Sequence, residues 1–173
     1  MHQKFLMILV ILASLTGLIS TAQSAESNAL SNTAKVRVFQ VGDITLYPGE
    51  FCFGSNSPAA IQAAKSGFGI FSTHKRVGMP VTEDIVGSYN EYTIPAGTVM
   101  AVMMKWEVQR GGAKTICGPT GAAFLPQAGK NYDVTISNTG QCFAQIRELY
   151  ETSPGKAFAL QTPASPSFPC PGK

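Results

Sequence analysis

The chain is poor in charge. Aspartate, glutamate, lysine and arginine make up 13% of its 173 residues, and the formal net charge is +3. A nucleic-acid binder needs a concentrated basic surface, and a disordered tail needs many charges and few apolar groups. Neither fits a chain that is 45% hydrophobic. Histidine occurs only twice, which leaves little material for imidazole catalysis or imidazole-rich metal binding. There is no CxxC, no zinc-spaced cysteine set, no glycine-rich phosphate loop and no G-x-S-x-G elbow. No second long apolar run follows the first 25 residues, so no membrane span is expected beyond them.

Turn chemistry, by contrast, is abundant. Seventeen glycines and 11 prolines suit a turn-rich β protein better than a helical bundle. Residues 1–25 read as a secretory signal: Lys4 supplies the positive start and Phe5–Leu15 the apolar run. Small residues follow, with cleavage expected after Ala22, Ser24 or Ala25. Without a nearby cysteine, no lipoprotein anchor is expected. Removing 25 residues leaves 148 and a net charge of +2, one ordinary domain with no pull toward an acidic partner. The expected placement is periplasmic or extracellular.

All four cysteines, Cys52, Cys117, Cys142 and Cys170, lie in the mature part. In an exported chain an even count reads as two disulfides, with three possible connectivities. Cys117–Cys142 with Cys52–Cys170 is the preferred one. The first would close a compact strand–turn–strand segment and the second would tie down the proline-rich tail.

Residues 26–33 are polar and read as a flexible lead-in. Strands are expected at 34–41, 44–47, 50–53, 68–73, 91–94, 98–110, 115–117, 122–125, 131–137 and 142–146, from alternating apolar positions bounded by turn residues. The 98–110 strand is apolar on both faces in its first half, the mark of a central strand. Ser57-Pro58 before AAIQAAK predicts one short helix ending at Gly67. Residues 151–173 read as an extended tail tied by Cys170. The spacing of strands and turns indicates an all-β fold, an antiparallel sandwich or barrel spanning 34–150. Leu125-Pro126 through Gly129 to Tyr132 resembles the E–F corner of immunoglobulin-like and fibronectin-type sandwiches, in which a tyrosine hydroxyl bonds back to the preceding loop. This resemblance makes the expected fold class an antiparallel immunoglobulin-like β-sandwich.

Few side chains invite chemistry. His74-Lys75-Arg76 is a basic cluster in the loop-like stretch 74–90 and is the candidate partner-binding loop. A Ser-His-Asp arrangement can be written from Ser66 or Ser72, His74 and Asp84, but nothing in the sequence orders it. Glu83, Asp84 and Glu91 lack calcium-loop spacing and read as solvated loop charges. Met100, Met103 and Met104 around Trp106 alternate across a strand and read as core. The aromatics Tyr47, Phe51, Phe53, Phe68 and Phe71 read as core in the same way. No catalytic residue, cofactor or metal ligand is assigned.

HKRVGMP at 74–80 with YNEYTIPAG at 89–97 resembles small exported bacterial proteins of unknown function, and CGPTGAAFLPQAGKNYDVTISNTGQCFAQIRE at 117–148 resembles their closing half. The turn and strand pattern is also similar to PEGA-like and DUF2846-like envelope domains, with their P-x-G turn. The resemblance covers about half of the mature chain. It implies a bacterial source and periplasmic or extracellular placement, and carries over no catalytic residue. The expected function is a non-catalytic exported protein binding an envelope component or another exported protein. The alternatives are a secreted inhibitor or effector acting through 74–90, and, third, a hydrolase.

Overall fold

The computed structural model describes residues 32–54, 56–66, 74–110, 112–137 and 142–171. The expected signal peptide, most of the lead-in and the expected 68–73 strand lie outside these residues. Sheet A holds six strands in the order β4-β10-β9-β8-β1-β5. These are β1 (Thr33–Phe39), β4 (Val81–Thr82), β5 (Tyr89–Pro95), β8 (Asn131–Ser137), β9 (Phe143–Ser153) and β10 (Lys156–Gln161). Sheet B holds five in the order β11-β7-β6-β2-β3. These are β2 (Asp43–Pro48), β3 (Ile61–Ala64), β6 (Met100–Arg110), β7 (Ala113–Phe124) and β11 (Ser165–Ser167). Most pairs are antiparallel, but β1 runs parallel to β8 and β4 parallel to β10.

The sheets enclose one main core, because alternation sends every second apolar side chain between them. Val36 and Val38, Ile44 and Leu46, Met100, Val102 and Met104, Tyr132 and Val134, and Ile146 all meet there. The strand expected to be central is central: β6 lies between β2 and β7, with Met103 and Ala101 on its other face. That other face is covered too. Phe53 packs with Tyr47, Ala101 and Ala123, lying so close over Gly121 that an added Cβ there would meet its ring at 2.6 Å. The tyrosine corner forms. The Tyr132 hydroxyl accepts a hydrogen bond from the Gln127 N–H at 3.0 Å, and its ring meets Phe124 edge-on at 5.1 Å.

Three expectations are corrected. Where a short helix is expected, Ile61–Ala64 forms β3 against β2, because pairing and burial of Ala63 and Ala64 outweigh a helix too short to hold itself. The 115–117 and 122–125 strands are one continuous β7, passing through Gly118-Pro119. The 151–173 stretch is no loose tail: it finishes β9 and supplies β10 to sheet A and β11 to sheet B.

Both expected disulfides are present, Cys52–Cys170 and Cys117–Cys142. Their presence fits an oxidising, export-type environment. No helix among the described residues is long and apolar enough to cross a membrane.

Candidate functional site

Alternation sends the other half of each sheet A strand outward. Since Val36, Val134, Ile146 and Ile94 face the core, Arg37, Asp133, Arg147 and Glu91 face the opposite side. The strand register then lines them up. Arg37 on β1 sits opposite Glu91 on β5 and Asp133 on β8, and Asp133 sits opposite Arg147 on β9. The result is a row of alternating charge across four neighbouring strands. Its links are Arg37 Nε to Glu91 Oε1 at 3.6 Å, Arg37 Nη1 to Asp133 Oδ1 at 3.4 Å and Arg147 Nη2 to Asp133 Oδ2 at 3.2 Å. Asp84 closes the row from above, 2.6 Å from Arg147 Nη1.

This row is not on the surface. Arg37 and Asp133 are 0% exposed and Glu91 is 2% exposed, because the chain from 74 to 88 lies across the outer face of sheet A as a strap. Two kinds of contact hold the strap down. Val77 and Met79 pack with Leu149, Ala157 and Ala159. The buried charges supply the polar contacts. Glu91 Oε2 accepts hydrogen bonds from the N–H groups of Val77, Gly78 and Met79 at 2.8, 3.1 and 3.3 Å, and Arg37 Nη2 donates to the Pro80 carbonyl. A carboxylate that accepts several backbone N–H bonds satisfies a stretch of chain too short to pair with itself. Midway along its length the strap donates β4 to the edge of sheet A.

One expectation changes here: Glu91 is a buried strap anchor, while Asp84 stays a solvated loop charge that pairs with Arg147. Arg37 and Asp133, on the faces of β1 and β8 that alternation turns away from the core, are buried by a segment distant in sequence.

Asp133 carries the largest electrostatic consequence. Burial pushes its carboxyl up, and Arg37 and Arg147 only partly offset this, leaving it at about 6. Its ordinary value is 3.8, so the folded chain binds the proton more tightly than the unfolded chain. The stability from this group is full below about pH 4 and is lost as pH rises through about 6. A shift of that size corresponds to on the order of 3 kcal/mol. We predict that the melting temperature rises between pH 7.5 and 5, and that Asp133→Asn flattens this slope. Parallel slopes for the two proteins would contradict the assignment.

The predicted loop residues His74, Lys75 and Arg76 are exposed at the start of the strap. Their backbone is seated along the β5 edge: the Lys75 N–H donates to Asn90 Oδ1 at 3.1 Å and the Lys75 carbonyl accepts from the Glu91 N–H at 2.9 Å. Aromatic rings support the cations. The Arg76 guanidinium lies 3.7 Å from the Tyr89 ring centre and Lys75 Nζ 4.7 Å from that of Tyr92. Lys35 joins them, its Nζ donating to the Gly78 carbonyl at 3.2 Å. Among the described residues no carboxylate forms an ion pair with Lys35, Lys75 or Arg76.

The Ser-His-Asp arrangement is not assembled from the described residues. Ser66 donates to Asp43 through both its N–H and its hydroxyl, and Asp84 is taken by Arg147; Ser72 lies outside the described residues. The methionines divide as expected, Met100 and Met104 between the sheets and Met103 beneath Phe53. Tyr47 and Phe53 are core, Phe51 is exposed, and Phe68 and Phe71 lie outside the described residues. Glu50, Cys52 and Cys170 bring three donor atoms within 4.8 Å, but both sulfurs are joined in the disulfide, leaving one carboxylate. A cavity of about 670 Å³ lies between Val81–Asp84 of the strap and Thr152–Ala159. His74, Lys75 and Arg76 do not line it.

No protein-family model matches the chain, and neither a curated protein nor a solved structure proves similar to it.

Proposed function

We propose that the chain is a non-catalytic exported protein, periplasmic or secreted, that binds an envelope component or another exported protein through the strap. One observation carries the reading. A buried charge row fixes a surface segment that has no fold of its own, and that segment presents two cations, Lys75 and Arg76, on aromatic supports with no carboxylate paired to them among the described residues. A recognition loop held rigid before it meets its partner loses less entropy on binding. The disulfides suit export, and the resemblance to PEGA-like and DUF2846-like envelope domains points to the same setting. The rigid strap also suits the second reading, a secreted inhibitor or effector, which differs in taking a foreign protein as its target.

Charge reversal at the tip tests the reading. Lys75→Glu with Arg76→Glu is expected to lower affinity for the native envelope fraction at least tenfold while the melting temperature stays within about 2 °C, as surface changes do. Undiminished binding by the double variant would reject the strap as the recognition surface.

A further inference from the structure

Sheet edges are hazards, and three of those in this fold are guarded. The β5 edge is flanked by Lys75 and Arg76. In sheet B, β3 is four residues long, and β11 is three residues long and contains Pro166. The fourth edge is different. At the far side of sheet A, β4 covers only Lys156 and Ala157 of β10. Beyond it, Phe158-Ala159-Leu160-Gln161 has no pairing partner on its outer side among the described residues. No charge or proline protects this run until Pro163. Its apolar side chains are open as well, Phe158 47% and Leu160 51% exposed, with Tyr150 stacked on Phe158 at 5.4 Å.

We propose that this edge pairs with the same edge of a second copy of the chain, around a two-fold axis at Leu160. The backbone decides the register. On its inner side β10 meets β9 with Phe158 opposite Tyr150 and Leu160 opposite Glu148, and the Thr162 N–H donates to the Ile146 carbonyl at 2.9 Å. Residues 158, 160 and 162 therefore spend their backbone groups on β9, and Ala159 and Gln161 turn theirs outward. A two-fold axis at Leu160 places Ala159 of each copy against Gln161 of the other. Four hydrogen bonds form, and every free donor and acceptor of the run is used. An axis at Ala159 would instead drive Gln161 into the position β4 occupies.

Side chains agree with this register. An axis normal to the sheet keeps both copies on the same side, so Leu160 meets Leu160 of the other copy directly, with Phe158 and Tyr150 of each flanking them in one apolar strip. Charge is compatible: the paired run is neutral, and Glu148 behind it is already bound to Lys130 at 2.9 Å. One short strand edge and three apolar side chains per copy make a small interface, so the dimer belongs to the weak, exchanging class.

Sedimentation equilibrium of the purified protein across a concentration series tests the proposal. The wild type is expected to pass from monomer to dimer within about the range typical of such contacts, up to 1 mM. Leu160→Lys, which sets two like charges at the axis, is expected to stay monomeric with an unchanged melting temperature. Because directly opposed antiparallel residues lie within disulfide reach, Leu160→Cys is expected to oxidise to a covalent dimer faster than Val86→Cys, another exposed position. A wild type monomeric throughout, or equal oxidation at the two positions, overturns the proposal. That holds even if the edge then captures a strand of a different protein or inserts into lipid vesicles. Strap variants are expected to dimerise normally, so this result is independent of the recognition reading above.

Discussion

Replacing Arg37 by methionine is expected to destabilise the protein by about 3–5 kcal/mol, the usual consequence of leaving buried charge without its partner. The guanidinium stands between Glu91 and Asp133 and also holds the Pro80 carbonyl. Methionine fills a similar volume but leaves two buried carboxylates facing each other across an apolar gap. For a domain of this size the loss lowers the melting temperature by on the order of 10 °C. The strap is expected to loosen first, because Glu91 holds three of its N–H groups. Hydrogen exchange at Val77, Gly78 and Met79 reads this directly. Asp133→Asn provides the contrast: it removes a charge that burial already disfavours, so at pH 7.5 it is expected to be neutral or stabilising. If the two substitutions proved equally harmful, the row would be acting by packing alone.

Breaking Cys52–Cys170 by a double serine substitution is expected to be the largest single loss. The bridge closes a separation of 118 residues, for which the chain-entropy account gives about 5 kcal/mol, against about 3.5 kcal/mol for the 25-residue separation of Cys117–Cys142. Local structure reinforces the ranking. The Cys52 segment and the terminal segment bind each other through Phe53 N–H to Phe168 O at 3.0 Å, Cys170 N–H to Phe53 O at 2.9 Å and Ser167 Oγ to Phe51 O at 2.7 Å. Releasing them uncovers Tyr47, Ala101 and Ala123 beneath Phe53. A drop in melting temperature on the order of 15 °C is expected, with increased binding of a hydrophobic dye. A variant melting with the wild type would show that the segment is held by packing without help from the bridge.

The sandwich was legible wherever alternation was strong. In β1, β2, β6 and β8 the sequence pattern places the same side chains in the core that the structure places there. The Tyr132 corner and the Cys117–Cys142 pairing were legible for the same reason, since both close short stretches of chain; Cys52–Cys170, 118 positions apart, is the pair that then remains. The strap was not. Its stretch shows no periodicity, and what fixes it is long-range: Glu91 and Arg37 reach it from strands, with Arg37 43 positions from Pro80. An arginine alternating with valines looks solvated until something distant covers it. The one signal available was a charge on each of three outward faces, Arg37, Glu91 and Asp133, which could have been read as a pairing set. Strand β10 was hidden differently. Its buried positions are Ala157 and the partly buried Ala159, too small to print an apolar pattern on a proline-rich stretch. The expected helix failed because its capping signals are local, while the decision belonged to β2.

The most direct measurement places a photo-crosslinking residue at Lys75 and, as a control, at Lys114 on the β6–β7 hairpin, in cells that export the protein. If the strap is the recognition surface, position 75 gives one discrete adduct that disappears in the Arg76→Glu background, and position 114 gives none. Identical adducts from both positions, or none from 75, would contradict the account.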